Sequence, residues 1–190
     1  MKKLLRFLKI LGWSLLILFI LGYVSFYFFT KPKSDQAVLD TFKEFESMPT
    51  LTIEKFKEYR FRKLTFINND TLPTMVFVHG TIGSSKDFIG YIVDSVLSKK
   101  ANFISYDRVG YNYQDKHETQ ASIAFERDLL QHITKDLNKK KTIIVGYSYG
   151  GPIALADKTK YKKTILIAPA VYSNVEPNFW FTNIYKWKLT

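Results

Sequence analysis

The longest apolar run in the chain, ILGWSLLILFILGYVSFYFF from Ile10 to Phe29, holds no charged residue over twenty positions. At a helical rise of about 1.5 Å per residue such a run reaches about 30 Å, the thickness of a bilayer's hydrocarbon core. Lys2, Lys3, Arg6 and Lys9 precede it, and only Lys31 and Lys33 follow closely. Trp13 lies near one end and Tyr23 and Tyr27 near the other, where amphipathic rings favour the interface. A cleaved signal peptide would have a shorter apolar region and small residues at the cleavage site, whereas this run ends in SFYFFTKPKSD. A buried core helix rarely has twenty apolar residues in a row. The pattern therefore predicts a cytoplasmic basic segment over 1–9 and a single-pass membrane anchor over 10–29. The positive-inside bias puts the N-terminus in the cytoplasm and the globular part outside.

Beyond the polar hinge TKPKSD, the apolar spacing of Val38, Leu39, Phe42 and Phe45 predicts a helix capped by Asp35, within a linker and helical segment over 30–58. A first strand is expected near Tyr59–Ile67. The pattern then sharpens. TMVFV, ANFISY, KTIIVGY and KTILIA are short, nearly all-apolar runs bounded by glycine, proline or polar residues, as in buried strands. Helical spacing separates them. SSKDFIGYIVDSVLSKK carries Phe88, Tyr91, Ile92 and Val96 on one face, and TQASIAFERDLLQHITKDLNKK carries Ile123, Leu129, Leu130, Ile133 and Leu137. GGPIALADKTK predicts a further helix. Strand and helix in alternation, with strands apolar on both faces, predict an α/β domain over 59–190. Its mostly parallel sheet would be covered by helices on both sides.

Charge changes this picture little. The chain of 190 residues has a formal charge of +11. Its lysines fall in short groups, such as 99–100 and 139–141, where helices end or strands begin. A specific nucleic-acid partner is not expected, and an anionic membrane surface is a better use of the charge. The chain has no cysteine, which excludes disulfides and cysteine metal sites.

Three turns carry the candidate chemistry, each after an apolar strand: HGTIGSS (79–85), DRVGYN (107–112) and GYSYGG (146–151). Parallel strands put their C-terminal ends, and so these turns, along one sheet edge. Ser148 stands at G-x-S-x-G spacing between Gly146 and Gly150, where a strand turning at once into a helix projects its hydroxyl. The amides of Tyr149 and Thr81 are placed to receive a developing oxyanion. His79 is expected to brace its loop through hydrogen bonds, and a role as catalytic base is the weaker alternative.

Together these turns resemble the α/β-hydrolase superfamily. The HG-x loop (His79, Gly80), the D-R-x-G turn (Asp107, Arg108, Gly110) and the G-x-S-x-G-G elbow stand in the family's order over roughly Leu64 to Ala170. The resemblance implies Ser148 as nucleophile and the Thr81 and Tyr149 amides as oxyanion hole. It implies that Asp107, Arg108 and Gly110 shape a turn at the rim, outside the triad. It also implies hydrolysis of an ester, amide or related bond of a small or lipid-like acyl substrate through an acyl-enzyme, with neither a metal nor an organic cofactor.

The family order is nucleophile, then acid, then histidine, and no histidine follows Ser148. His117 lies in a polar loop, and His132 is expected at the surface of the long helix. Asp157 and Glu176 are available acids. The final stretch VYSNVEPNFWFTNIYKWKLT reads as the lead-in to a lid. The chain is therefore read as a fragment of a longer enzyme. The alternatives are a short non-catalytic membrane-tethered binding protein on the same fold, or a half completed by a partner chain.

Overall fold

The computed structural model describes residues 2–31, 33–81, 83–111, 120 and 122–171. Two compact units divide at Lys33 and Ser34. The first contains α1 (Lys2–Thr30), a helix exposed from Lys2 to Phe29. It takes in the basic residues as well as the apolar run. It is the one helix among the described residues long and apolar enough to cross a membrane.

The second unit is built on a six-stranded sheet. Its elements run α2 (Asp35–Asp40), β1 (Thr50–Phe56), β2 (Tyr59–Phe66), β3 (Thr74–Val78), α3 (Ile89–Ile92), β4 (Asn102–Tyr106), α4 (Ile123–Thr134), β5 (Thr142–Tyr147), α5 (Gly150–Ala156) and β6 (Lys163–Ile167). The strand order is β1-β2-β4-β3-β5-β6. β4, β3, β5 and β6 are parallel, while β2 pairs antiparallel with both β1 and β4.

The central strands are buried on both faces, which is why they read as continuous apolar runs. Val76, Val78, Ile104, Tyr106 and Ile144 face one core with Leu129, Leu130 and Ile133 of α4 and Ile153 of α5. The alternate residues Phe77, Phe103 and Val145 face the other core with Val38, Phe42, Phe88 and Ile92. There the Phe77 and Phe88 rings stack at 4.6 Å.

Three expectations need correction. Ser34, and not Asp35, caps α2: its hydroxyl accepts the Ala37 amide at 3.2 Å, and Asp35 is the first helical residue. The folded unit begins at Ser34, and β1 occupies part of the stretch assigned to a linker. β1 and β2 form a hairpin closed by Lys57 and Glu58, with Lys57 at φ 54°. The long helix expected after β3 is a 3-10 turn (Ser85–Phe88) followed by four α-helical residues. The carboxylate of Asp94 ends it early by accepting from the amides of Val96 (3.0 Å) and Leu97 (2.7 Å). These side-chain bonds compete with helical ones.

Candidate active site

The parallel register aligns the C-terminal ends of β3, β4 and β5. The turns after Val78, Tyr106 and Tyr147 therefore share one edge of the sheet. Ser148 occupies the turn between β5 and α5 in a left-handed conformation, φ 50°. That conformation costs a non-glycine residue about 1–2 kcal/mol. Tertiary bonds hold it there. The Ser148 amide donates to the Ile167 carbonyl (3.0 Å), and its carbonyl accepts from the amides of Gly151 (2.9 Å) and Ala170 (3.1 Å).

Two glycines allow the turn to sit against its neighbours. A Cβ on Gly150 would lie 2.0 Å from the Val78 carbonyl oxygen, and one on Gly80 would lie 2.8 Å from the Ser148 Cβ and 3.2 Å from its Oγ. The backbone of the first turn thus touches the Ser148 side chain, and the exposed Thr81 comes next in sequence. Gly146 meets the elbow just as closely, 2.5 Å from the Gly150 carbonyl oxygen for the same added carbon. Gly110 takes φ 83° in the middle turn.

His79 is fully buried. Its Nδ1 donates to the Gly80 carbonyl at 2.8 Å, and its Nε2 accepts the Arg108 amide at 3.0 Å. These partners assign the Nδ1–H tautomer and leave no ring nitrogen to take a proton from Ser148. Burial pushes the imidazole down to about 3, and the Arg108 charge adds to this.

Arg108 links all three turns. Its Nη2 donates to the Gly80 carbonyl (3.1 Å) and its Nη1 to Glu126 Oε1 of α4 (3.3 Å). Its guanidinium lies 4.6 Å from the Tyr111 ring centroid and 4.9 Å from that of Tyr149. Both members of the Arg108–Glu126 pair are buried. Burial raises Glu126 to about 7 against the pull of Arg108, and its Oε2 has no hydrogen-bond partner among the described residues. Asp107 is buried as well. It accepts from Arg62 Nε (2.7 Å) and from the Ser85 amide (2.6 Å), and Arg62 in turn donates to Asp35 (3.0 Å).

The structure brings together Ser148, Gly80, His79, Arg108 and Tyr149 and leaves the other candidates elsewhere. The ring of His132 packs on Phe56 at 5.2 Å and on Phe61 at 6.4 Å, so it is half-buried where a surface position was expected. Asp157 caps α5 and is occupied by Gln131 (2.9 Å) and Tyr161 (2.7 Å). His117, Glu176 and the expected lid lead-in from Tyr172 onward lie outside the described residues. Among the described residues no histidine hydrogen-bonds to Ser148, and no group of three or more His, Asp or Glu gathers to hold a metal.

Sequence reasoning missed Glu126 and Arg62 as anchors of the rim. One signal was present for Glu126. It falls three residues after Ile123 and four before Leu130, within the apolar stripe of α4, where an ionised side chain needs a partner.

A family model for the alpha/beta hydrolase fold matches residues 73–165. Among solved structures, a candidate lipase from Acinetobacter baumannii superimposes with a TM-score of 0.60 at 19% identity, over 72% of this chain and 46% of its own. A bacterial membrane phospholipase A, a virulence factor, gives 0.58 at 14% identity over 85% and 52%. The carboxylesterase CesB from Bacillus subtilis gives 0.55 at 16% identity over 71% and 48%. The chain thus spans about half the length of these structures. No curated protein matches it.

Proposed function

Because the chain belongs to the α/β-hydrolase superfamily, we propose that it acts as a membrane-anchored serine hydrolase in which Ser148 is the nucleophile. The observation that carries this is the strained Ser148, φ 50°, at the β5–α5 turn with Gly80 against its side chain. Such a turn lifts the hydroxyl out of the sheet while the backbone stays clear of the reacting carbonyl. Ser148 Oγ attacks an acyl carbon, the bond to the alcohol or amine leaving group breaks as that group takes up the serine proton, and water then hydrolyses the acyl-enzyme to release the acid and restore the hydroxyl. The amides of Thr81 and Tyr149 receive the oxyanion. His79, Gly80, Asp107, Arg108, Gly110, Gly146 and Gly150 hold the three turns in register. The substrate is an ester, amide or related acyl compound. A lipid-like acyl chain suits both the apolar helix α1 and the lipase and phospholipase among the similar structures. α1 crosses the membrane once, with the basic residues before Ile10 in the cytoplasm and the second unit outside.

Labelling of the full chain with a fluorophosphonate tests the nucleophile. Labelling that disappears in Ser148→Ala supports it, and labelling that persists in that variant sinks it. A second reading rests on the histidines. His79 is committed to other bonds and His132 packs on the hairpin, which favours a non-catalytic membrane-tethered binding protein on the same fold. That reading predicts no labelling of the wild-type chain together with saturable binding of a fatty-acyl ester.

A further inference from the structure

We propose that the sheet edge opposite Ser148 is a docking surface for an anionic lipid bilayer, with the lysine-rich turns before β4, β5 and β6 as its contact. The strand register places these turns side by side. Thr74 pairs with both Asn102 and Thr142, and Ile143 pairs with Lys163, so the N-terminal ends of the four parallel strands align. Hydrogen bonds join the turns that precede them. The Asn102 amide donates to the Pro73 carbonyl (2.9 Å), Lys141 Nζ to the Thr71 carbonyl (3.1 Å), and the Lys162 amide to the Lys139 carbonyl (2.9 Å). A continuous strip results, in which Lys99, Lys100, Lys140, Lys162 and Lys163 are exposed. The exposed acids on or beside the strip are Asp70, Asp94 and Asp136, and Asp94 is engaged by the Val96 and Leu97 amides. Strands of five to six residues keep this edge about 17 Å from the Ser148 edge, beyond a Debye length at ordinary salt.

The chemistry of the strip favours lipid over nucleic acid. Its cations are all lysines, compact point charges that suit a diffuse layer of headgroups better than the bidentate reading of bases. Tyr161 commits its hydroxyl to Asp157 and Thr134, and Tyr91, which shares a hollow with Lys100, packs its ring on Phe77 at 5.4 Å, so neither offers a free platform on which successive bases would stack. The choice of lipid also rests on the membrane-anchored reading. On this arrangement the bilayer engages one edge of the sheet and leaves the Ser148 edge free for substrate.

The absence of native cysteine makes the test direct. The full chain carries a fluorophore at Thr164→Cys near the basic edge or at Val171→Cys near the Ser148 edge, in vesicles with a headgroup-attached quencher. The expected result is quenching at 164 in vesicles with about 30 mol % phosphatidylglycerol and several-fold less in pure phosphatidylcholine. Quenching should fall at roughly 0.5 M salt and stay low at 171 throughout. The combined Lys99→Gln, Lys140→Gln, Lys162→Gln and Lys163→Gln variant should lose the phosphatidylglycerol effect with an unchanged melting temperature. Equal quenching in both lipids, or stronger quenching at 171, overturns the proposal. Displacement of the lipid by duplex DNA at equal phosphate concentration overturns it in favour of a nucleic-acid surface. Carbonate-resistant association with pure phosphatidylcholine reports α1 alone. Its loss would refute the anchor, while the contrast between the two lipids, read with vesicles added from outside, would still decide the docking surface.

Discussion

His79 Nε2 accepts the backbone amide of Arg108 at 3.0 Å, so the turn after β3 and the turn after β4 are joined through one imidazole ring. The other ring nitrogen closes on Gly80, and the ring is wholly buried. Protonation would turn an acceptor into a donor facing a donor. The folded protein therefore keeps His79 neutral down to about pH 3, whereas the unfolded chain protonates it near 6.5.

A pH dependence follows. Below about 6.5 the unfolded state binds a proton that the folded state refuses, so His79 lowers stability as pH falls towards 3, at up to about 1.4 kcal/mol per pH unit. Urea unfolding of wild type and His79→Gln between pH 4.5 and 3 should show a shallower loss in the variant. Parallel profiles would mean that the ring is protonated in the folded state.

Glu126 works in the opposite direction. Its carboxyl titrates near 7 when folded and near 4.5 when unfolded. Between those values the folded state holds the extra proton, and stability from this group rises as pH falls. Glu126→Gln should flatten the profile between pH 7 and 4.5. Above pH 7, where the carboxylate is ionised, it should also cost on the order of 3 kcal/mol, because Arg108 loses its anion. A variant profile that keeps the wild-type slope would place the raised titration elsewhere.

Close approach at the elbow sets a steric prediction. Gly150→Ala drives a Cβ into the Val78 carbonyl and should cost about 3 kcal/mol or prevent folding. Gly90→Ala, in α3 with nothing within 4 Å, should be neutral or stabilising by up to about 1 kcal/mol. Thermal denaturation of both variants checks this, and equal melting temperatures would contradict it.

Strain at Ser148 predicts a trade between function and stability. Ser148→Gly should relieve the φ of 50° and raise stability by about 0.5–1 kcal/mol, while fluorophosphonate labelling disappears. A glycine variant less stable than wild type would mean that the hydroxyl contributes more than the strain removes.

What was legible in the sequence follows from where each signal is stored. β3, β4 and β5 were readable because burial on both faces makes them nearly all-apolar, as at Thr74–Val78, while β6, an edge strand of exposed and half-buried residues, was readable from the run Ile165, Leu166 and Ile167. The Ser148 turn was readable because its glycines are local in sequence. β1 was not, since Lys57 and Glu58 close its hairpin without the Asn or Gly that normally marks such a turn. The helix after β3 was over-read, because apolar spacing does not register the competing carboxylate of Asp94. The Arg108–Glu126 and Arg62–Asp107 pairs join residues far apart in the chain, and only the folded sheet brings them together.

The strand order also imposes a timetable on assembly. Phe56 meets Tyr59 across a two-residue loop, and a hairpin of that kind closes in about 1–10 μs. Thr74 meets Thr142 only after a long crossover has been ordered, and such distant pairings slow folding. The antiparallel corner of the sheet is thus favoured to form first, as the template onto which β4 docks. The parallel pairings that carry Ser148 close the longer loops, so the elbow depends on the slower contacts of the sheet.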